Sequence, residues 1–183
     1  AGAVDATDIT SINANNGNGL IDGSALTSIN GTAAAIVQAF AGLDTAPANF
    51  DSTLSAGAVD ATDITSIEGN NGNGLIDGSA LTAINGTYAE INQALIDLDT
   101  APANFDSTLS AGAENAADIT ALELANGNGS INGSALTAIN GTYAEINQAL
   151  IDLETDPTNF HSTLTAGAEN AADISALAAA NGN

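Results

Sequence analysis

The chain has 183 residues, of which 22 are Asp or Glu, one is His and none is Lys or Arg, for a formal charge of -22. Nucleic acids and anionic membrane surfaces are excluded as partners, because both are held through Lys and Arg, and no ordinary internal ion pair can form. Cys is absent, which removes disulfides, thiolate nucleophiles and Cys-ligated zinc, whereas 44% hydrophobic residues suffice for a core and argue against disorder.

The longest apolar run, "AAAIVQAFAGL" at 33–43, is interrupted by Gln38 and is far shorter than the roughly 20 residues a membrane helix needs. Internal periodicity dominates everything else. Three repeats of 55 residues occupy 1–55, 56–110 and 111–165, and a partial fourth fills 166–183. Stopping inside a repeat, with no charged-then-apolar leader before it, the chain reads as a piece of a longer parent. Repeats one and two differ mostly between residues 33 and 42. Units of this kind bury their apolar faces only by stacking on neighbours, so the expected fold is a repeat solenoid.

Within the first repeat, "VDATDITSIN" at 4–13 is echoed by "IDGSALTSIN" at 21–30. Both read as helix starts, with an apolar residue, an Asp cap and a following apolar stripe. The pattern is clearest at Asp60, where Val59 and Ile64 form a hydrophobic staple, Ile67 continues the face, and Asp63 stands at the capping-box position. Ile21, Asp22 and Leu26, and Ile76, Asp77 and Leu81, follow the same grammar. Asn115 and Asn132 take the cap in the third repeat. Between the echoes lies "NGNGLIDG" at 16–23, which is expected to be a turn that starts the second helix.

The segment 84–98, "INGTYAEINQALIDL", predicts the longest helix: Gly86 stops the preceding turn in the left-handed conformation, Thr87 caps, and Glu90 completes a Thr-x-x-Glu box. Tyr88, Ile91, Leu95 and Leu98 then share one stripe. Pro102 ends that helix, and Phe105 can anchor the connection over 99–108. Short extended pieces are expected at "GAVD" and "GLID", stacking into narrow parallel sheets. The fold class is therefore an α/β solenoid of mainly short α-helices with short parallel β-strands, and an all-α solenoid is its alternative.

Candidate chemistry is sparse. A calcium EF-hand loop aligned with Gly19 at its sixth position would place Ala14 first and Ala25 twelfth, where carboxylates belong. The nonapeptide of calcium β-rolls needs Asp two residues after Gly, whereas Asp22 falls three after Gly19 and its third-repeat counterpart is Asn132. Asp8, Asp63, Asp118 and Asp173 recur in all four repeats and form the one column that could hold Ca2+, with helix capping as the competing role. Asn30, Asn85 and Asn140 begin "NGT", and Asn128 and Asn132 begin "NGS", all N-glycosylation patterns that turn and cap chemistry also explains. His161 replaces the Asp51 and Asp106 of other repeats and has no recurring nucleophile beside it. Tyr88 and Tyr143 read as packing residues. No nucleophile, base and oxyanion donor can be assembled, so an enzyme is not expected.

The phrases "SALTSINGTAAAIVQAF" and "SALTAINGTYAEINQAL" resemble the Ala-, Thr-, Gly- and Asn-rich tandem repeats of very large bacterial surface proteins, cyanobacterial ones in particular. The resemblance implies a secreted or cell-surface setting, often associated with calcium, and carries no site residues. The expected function is a structural segment of an extracellular stalk, fibre or surface layer, self-associating through further copies or adjacent repeats. The alternative is an adhesin that recognises glycan or protein through the variable helix face. An ice or mineral binder would need a flat ladder of one residue type, which the mixed Asn, Asp and Glu columns do not supply.

Overall fold

A computed structural model describes residues 2–165 and 169–181, so the opening of the fourth repeat at 166–168 lies outside the described residues. In chain order the elements are β1 (Ala3–Asp5), α1 (Ala6–Asn15), β2 (Ser28–Asn30), α2 (Ala33–Ala41), β3 (Ser52–Thr53) and β4 (Gly57–Asp60). There follow α3 (Ala61–Glu68), β5 (Ile76–Asp77), β6 (Leu81–Asn85), α4 (Tyr88–Asp97), β7 (Ser107–Thr108) and β8 (Gly112–Asn115). The last are α5 (Ala116–Ala125), β9 (Ile131–Asn132), β10 (Leu136–Asn140), α6 (Tyr143–Asp152) and α7 (Ala171–Ala180). The fold is mixed α/β, with seven helices among the described residues and two-stranded parallel sheets. The strands overturn the all-α alternative. No helix among the described residues is long and apolar enough to cross a membrane.

Contacts divide the chain into two compact units, 1–84 with 91–103 and 85–90 with 104–183. In the first, β1 pairs with β2, bridges join Ser28 to Asp51 and Gly31 to Leu54, β3 pairs with β5, and Asp77 bridges to Thr100. In the second, β8 pairs with β10, Ala138 bridges to His161, β7 pairs with β9, and Asn132 bridges to Thr155. Each unit thus links backbone segments about two dozen residues apart, always in parallel. Such pairing needs a crossover, and the helices supply many of them.

Helix starts follow the caps. Asp5 accepts from Thr7 N–H at 2.9 Å and Asp60 from Thr62 N–H at 3.0 Å, opening α1 and α3. The Thr-x-x-Glu box forms as expected: Thr142 and Glu145 cap α6 reciprocally, and Thr87 N–H donates to Glu90 at 2.8 Å while Glu90 N–H donates back to Thr87 Oγ1 at 3.3 Å. Ile91 and Leu98 are buried on the expected stripe, with Tyr88 and Leu95 half-buried, and Ala94, outside that stripe as read, is buried as well. Phe105, 2% exposed, anchors the connection after α4. Phe50 does the same one repeat earlier, stacked on Phe40 with ring centroids 5.7 Å apart.

Three expectations are corrected. The echo at 21–30 is not a helix: Asp22, Asp77 and Asn132 accept from the N–H of Ser24, Ser79 and Ser134, two residues on, and the chain then extends into β2, β6 and β10. This side-chain turn uses the same first hydrogen bond as a helix cap, but the Thr and Ile that follow suit a strand, and parallel neighbours complete its backbone bonds. "NGNGLIDG" accordingly ends a helix instead of starting one. Gly17 and Gly127 adopt φ of +64° and +73° just past α1 and α5, the left-handed turn that closes a helix, and Gly72, at φ +70°, stands in the turn that follows the Gly69 cap of α3. Gly86, at φ +153°, leaves strand β6 and terminates no helical turn.

Candidate functional site

The recurring Asp column is distributed over four separate helices. Asp8, Asp63, Asp118 and Asp173 each lie in the first turn of α1, α3, α5 and α7. Their surroundings differ. Asp118 accepts from Asn115 Nδ2 at 2.8 Å, whereas the backbone N–H of Asp173 donates to the Asn170 cap at 3.0 Å. Burial and the adjacent Asp60 charge push the Asp63 carboxyl above its ordinary range. The cap bonds of α1 and α3 go to Thr7 and Thr62, so no reciprocal box involves Asp8 or Asp63 there. Among the described residues no three His, Cys, Asp or Glu side chains gather into a group able to hold a metal.

A different use of the acids and amides runs through both compact units, and the sequence reading missed it. Asn30 Oδ1 accepts the backbone N–H of Thr53 at 2.9 Å, Asn85 that of Thr108 at 2.9 Å, and Asn140 that of Thr163 at 3.0 Å. These are the three "NGT" asparagines. Asp44 accepts from Ile21 N–H at 2.7 Å and Asp99 from Ile76 N–H at 2.8 Å, and Glu154 holds Ile131 N–H in the same way. Asp51 and Asp106 accept from Leu75 and Ser130 at 2.9 and 2.8 Å. Asn49 and Asn104 accept from Asn73 and Asn128 at 2.8 and 2.9 Å. A chain without cations therefore directs many of its carboxylates and side-chain amides at backbone N–H groups, whose dipoles are the positive poles available. The sequence holds these acceptors in columns, Asn30 with Asn85 and Asn140 and Asp44 with Asp99 and Glu154, but the Asp51 and Asp106 column ends in His161, and nothing local in them marks the distant N–H groups they serve.

Electrostatics separates two kinds of carboxylate. The N–H and hydroxyl of Ser130 hold Asp106 below the usual range, and Thr7, Ser24 and Ser79 do the same for Asp5, Asp22 and Asp77. Burial pushes Glu114 and Glu123 upward. For Glu114 the N–H of Tyr88, 3.1 Å away, opposes this, while Asp118 and Glu90 add to it. For Glu123 the neighbouring charges are Glu154 and Asp152.

Because the folded-state value of Glu114 lies above its unfolded value, its ionised form disfavours folding above the folded pKa, and this penalty disappears as pH falls below the unfolded value. Glu114→Gln keeps an acceptor for Tyr88 N–H and removes the charge. It is expected to raise the melting temperature at neutral pH and low salt by roughly 1–2 °C, with the gain vanishing on acidification. A melting series of both proteins across that pH range checks the sign.

The remaining candidates do not assemble a reactive site. His161 is a bridge residue whose carbonyl accepts from Ile139 N–H at 2.9 Å, and it borders a shallow depression with Thr137, Asn159 and Phe160. Tyr143 is half-buried at the start of α6, beside a cleft formed with Asn147, Leu150 and Leu177. In the variable stretch at 33–42, Ala33 is 3% exposed, Ala35, Val37 and Phe40 are half-buried, and Ala34, Gln38 and Ala41 are exposed. No protein-family model matches the chain, and no curated protein or solved structure matches it either.

Proposed function

We propose that the chain is a non-enzymatic structural segment of an extracellular tandem-repeat protein, a length of stalk, fibre or surface layer in which the repeats continue as an α/β solenoid. The observation that carries this reading is how the polar side chains are used. Equivalent Asn, Asp and Glu residues in successive repeats close backbone hydrogen bonds to neighbouring segments, leaving few convergent groups free for chemistry. The absence of Lys and Arg fits exposure outside the cell, because it removes every trypsin-type cleavage site. The resemblance to large bacterial surface repeats points to the same setting. Ca2+ acts on this segment as a diffuse counter-ion to its carboxylates, not as the occupant of a dedicated loop.

The adhesin alternative assigns recognition of glycan or protein to the variable helix. Packing at Ala33, Ala35 and Val37 favours the structural reading, and the varied position open to a partner in all three repeats is that of Ala41 and its counterparts Ile96 and Ile151, each of the two isoleucines 68% exposed. Exchange of residues 88–97 for the sequence of 33–42 tests the choice. A spacer leaves cell or bead adhesion to glycan-coated surfaces unchanged. Lost adhesion in a folded exchange variant would move the assignment to the adhesin.

A further inference from the structure

The seven helices are of two kinds that alternate along the chain. α1, α3, α5 and α7 start after Asp or Asn; α2 and α6 start after Thr, and Thr87 precedes α4. On the first kind, Ile12, Ile67, Leu122 and Leu177 occupy one equivalent position, and on α3 and α7, which pack against α2 and α6, that position is buried. Leu177 shows this directly: it is 6% exposed and shares a cleft with Tyr143, Asn147 and Leu150 of α6. Ile67 lies on α3, which packs against α2, and is 2% exposed; Leu122 is 1% exposed. Ile12 is 54% exposed. The contact of α1 with α2 buries Ile9, to 3% exposure, and leaves Ile12 in solvent. Val4 repeats the contrast: it is half-exposed, whereas its equivalent Val59, on a strand that packs against α2, is 7% exposed.

The segments that enter α5 and α7 are each tied to the Thr-capped helix before them. Glu114 and Glu169 accept the backbone N–H of Tyr88 and Tyr143, both at 3.1 Å, and those tyrosines are the first residues of α4 and α6. Val59 instead follows α2, whose first residue is Ala33. The chain thus contains two junction types: a small alanine with a packed valine, and a tyrosine with a half-buried, hydrogen-bonded glutamate. Val4 belongs to the alanine type.

We propose that the outer face of α1 and β1, carrying Val4 and Ile12, is a docking surface for a Thr-capped, alanine-rich helix of the α2 kind from another repeat of this sequence class. The proposal rests on the reading of the chain as part of a repeating array, and extends to the outer face the interface already built between α2 and α3. A second copy of this chain is the wrong occupant. Its α7 is of the Asn-capped kind, so it would meet α1 like against like.

Two fusions to the full chain test this. One places a copy of residues 28–55 ahead of residue 1, recreating the sequence that joins Ser55 to Ala56, and the other places residues 83–110 there. Thermal melting and amide hydrogen exchange of α1 are measured for both. The first fusion is expected to raise the melting temperature by about 3–6 °C and to slow exchange in α1 about tenfold or more. The second, which presents tyrosine and Glu90 to Val4, is expected to give less than half that gain, restored by Val4→Glu. Equal gains from both fusions would remove the matching of junction types. No gain from either, with the added helix present by circular dichroism, would remove the docking surface. A concentration-dependent dimer of the unfused chain, abolished by Ile12→Gln, would transfer the face to a second copy. Failure of the array reading registers separately, as lost adhesion in the 88–97 exchange, which leaves Val4 and Ile12 untouched.

Discussion

Gly74→Ala is expected to lower the melting temperature by roughly 10 °C, the largest effect of any single substitution considered for this chain. A Cβ at Gly74 would lie 1.8 Å from the Phe50 carbonyl oxygen and 2.4 Å from its carbon, both backbone atoms that no rotamer change can move aside. The clash sits where the turn after α3 crosses the segment leading into β3. There Phe50 N–H donates to the Asn71 carbonyl at 3.1 Å and Ser52 N–H to the Leu75 carbonyl at 2.7 Å. Relief requires separating those segments and uncovering Phe50, which is 2% exposed. A cost of about 3 kcal/mol, the upper range for overpacking, corresponds to that shift in a chain of this size. Gly69→Ala is the control: its Cβ would meet nothing closer than 3.5 Å, and it should be nearly neutral. Gly129 repeats the arrangement against Phe105, 1.8 Å from its carbonyl oxygen, and Gly129→Ala should match Gly74→Ala in size.

Replacing Asn30, Asn85 and Asn140 together by Ala is expected to destabilise the chain by roughly 3 kcal/mol, about 1 kcal/mol for each lost acceptor. Each asparagine closes a backbone bond to a segment 23 residues further along, to Thr53, Thr108 or Thr163. Water can reach part of each site, which keeps the cost near the lower end of the range for an unmade hydrogen bond. Asp at the same positions preserves the acceptor oxygen and should recover most of the loss at low pH, where added charge matters least. Urea unfolding of the wild type, the triple Ala variant, the triple Asp variant and a triple Leu variant, which keeps the volume without the acceptor, separates the two losses. A triple Leu variant as stable as the wild type would show that volume, not the acceptor, matters.

Much of the helical content was legible because its determinants are local. Asp5, Asp60 and the Thr87–Glu90 pair carry their capping partners within three residues, and Ile91 and Leu98 mark a stripe with helical spacing. Short extended segments at "GAVD" were legible for the same reason: a cap needs a non-helical residue before it. The echo at 21–30 was misread because Asp22 makes the same bond to an N–H two residues on, whether a turn or a helix follows. What decides between them is the parallel partner at Asp51, far along the sequence. The Asn30, Asn85 and Asn140 column was invisible for a related reason. Its acceptor function exists only after chain segments from different parts of a repeat are brought side by side, and the local phrase "NGT" explained those residues adequately as turn and cap.

The same distinction bears on the Asp column that the sequence singled out. Asp8, Asp63, Asp118 and Asp173 recur in register along the chain, yet each occupies the first turn of its own helix, and among the described residues no three acidic side chains gather around any of them. Asp106 is held low by the N–H and hydroxyl of Ser130, so its ionised form is already stabilised without a cation.

The most direct test of this account is thermal unfolding followed by circular dichroism, starting from chelator-treated protein and titrating calcium, with magnesium and sodium as controls. If the acids serve the backbone and interact with ions only as a field, calcium should raise the melting temperature by a few degrees, magnesium should match it, and sodium should approach it at higher concentration. A large, saturable rise with calcium alone, lost in the Asp8, Asp63, Asp118 and Asp173→Asn variant, would contradict it and establish that column as a calcium site.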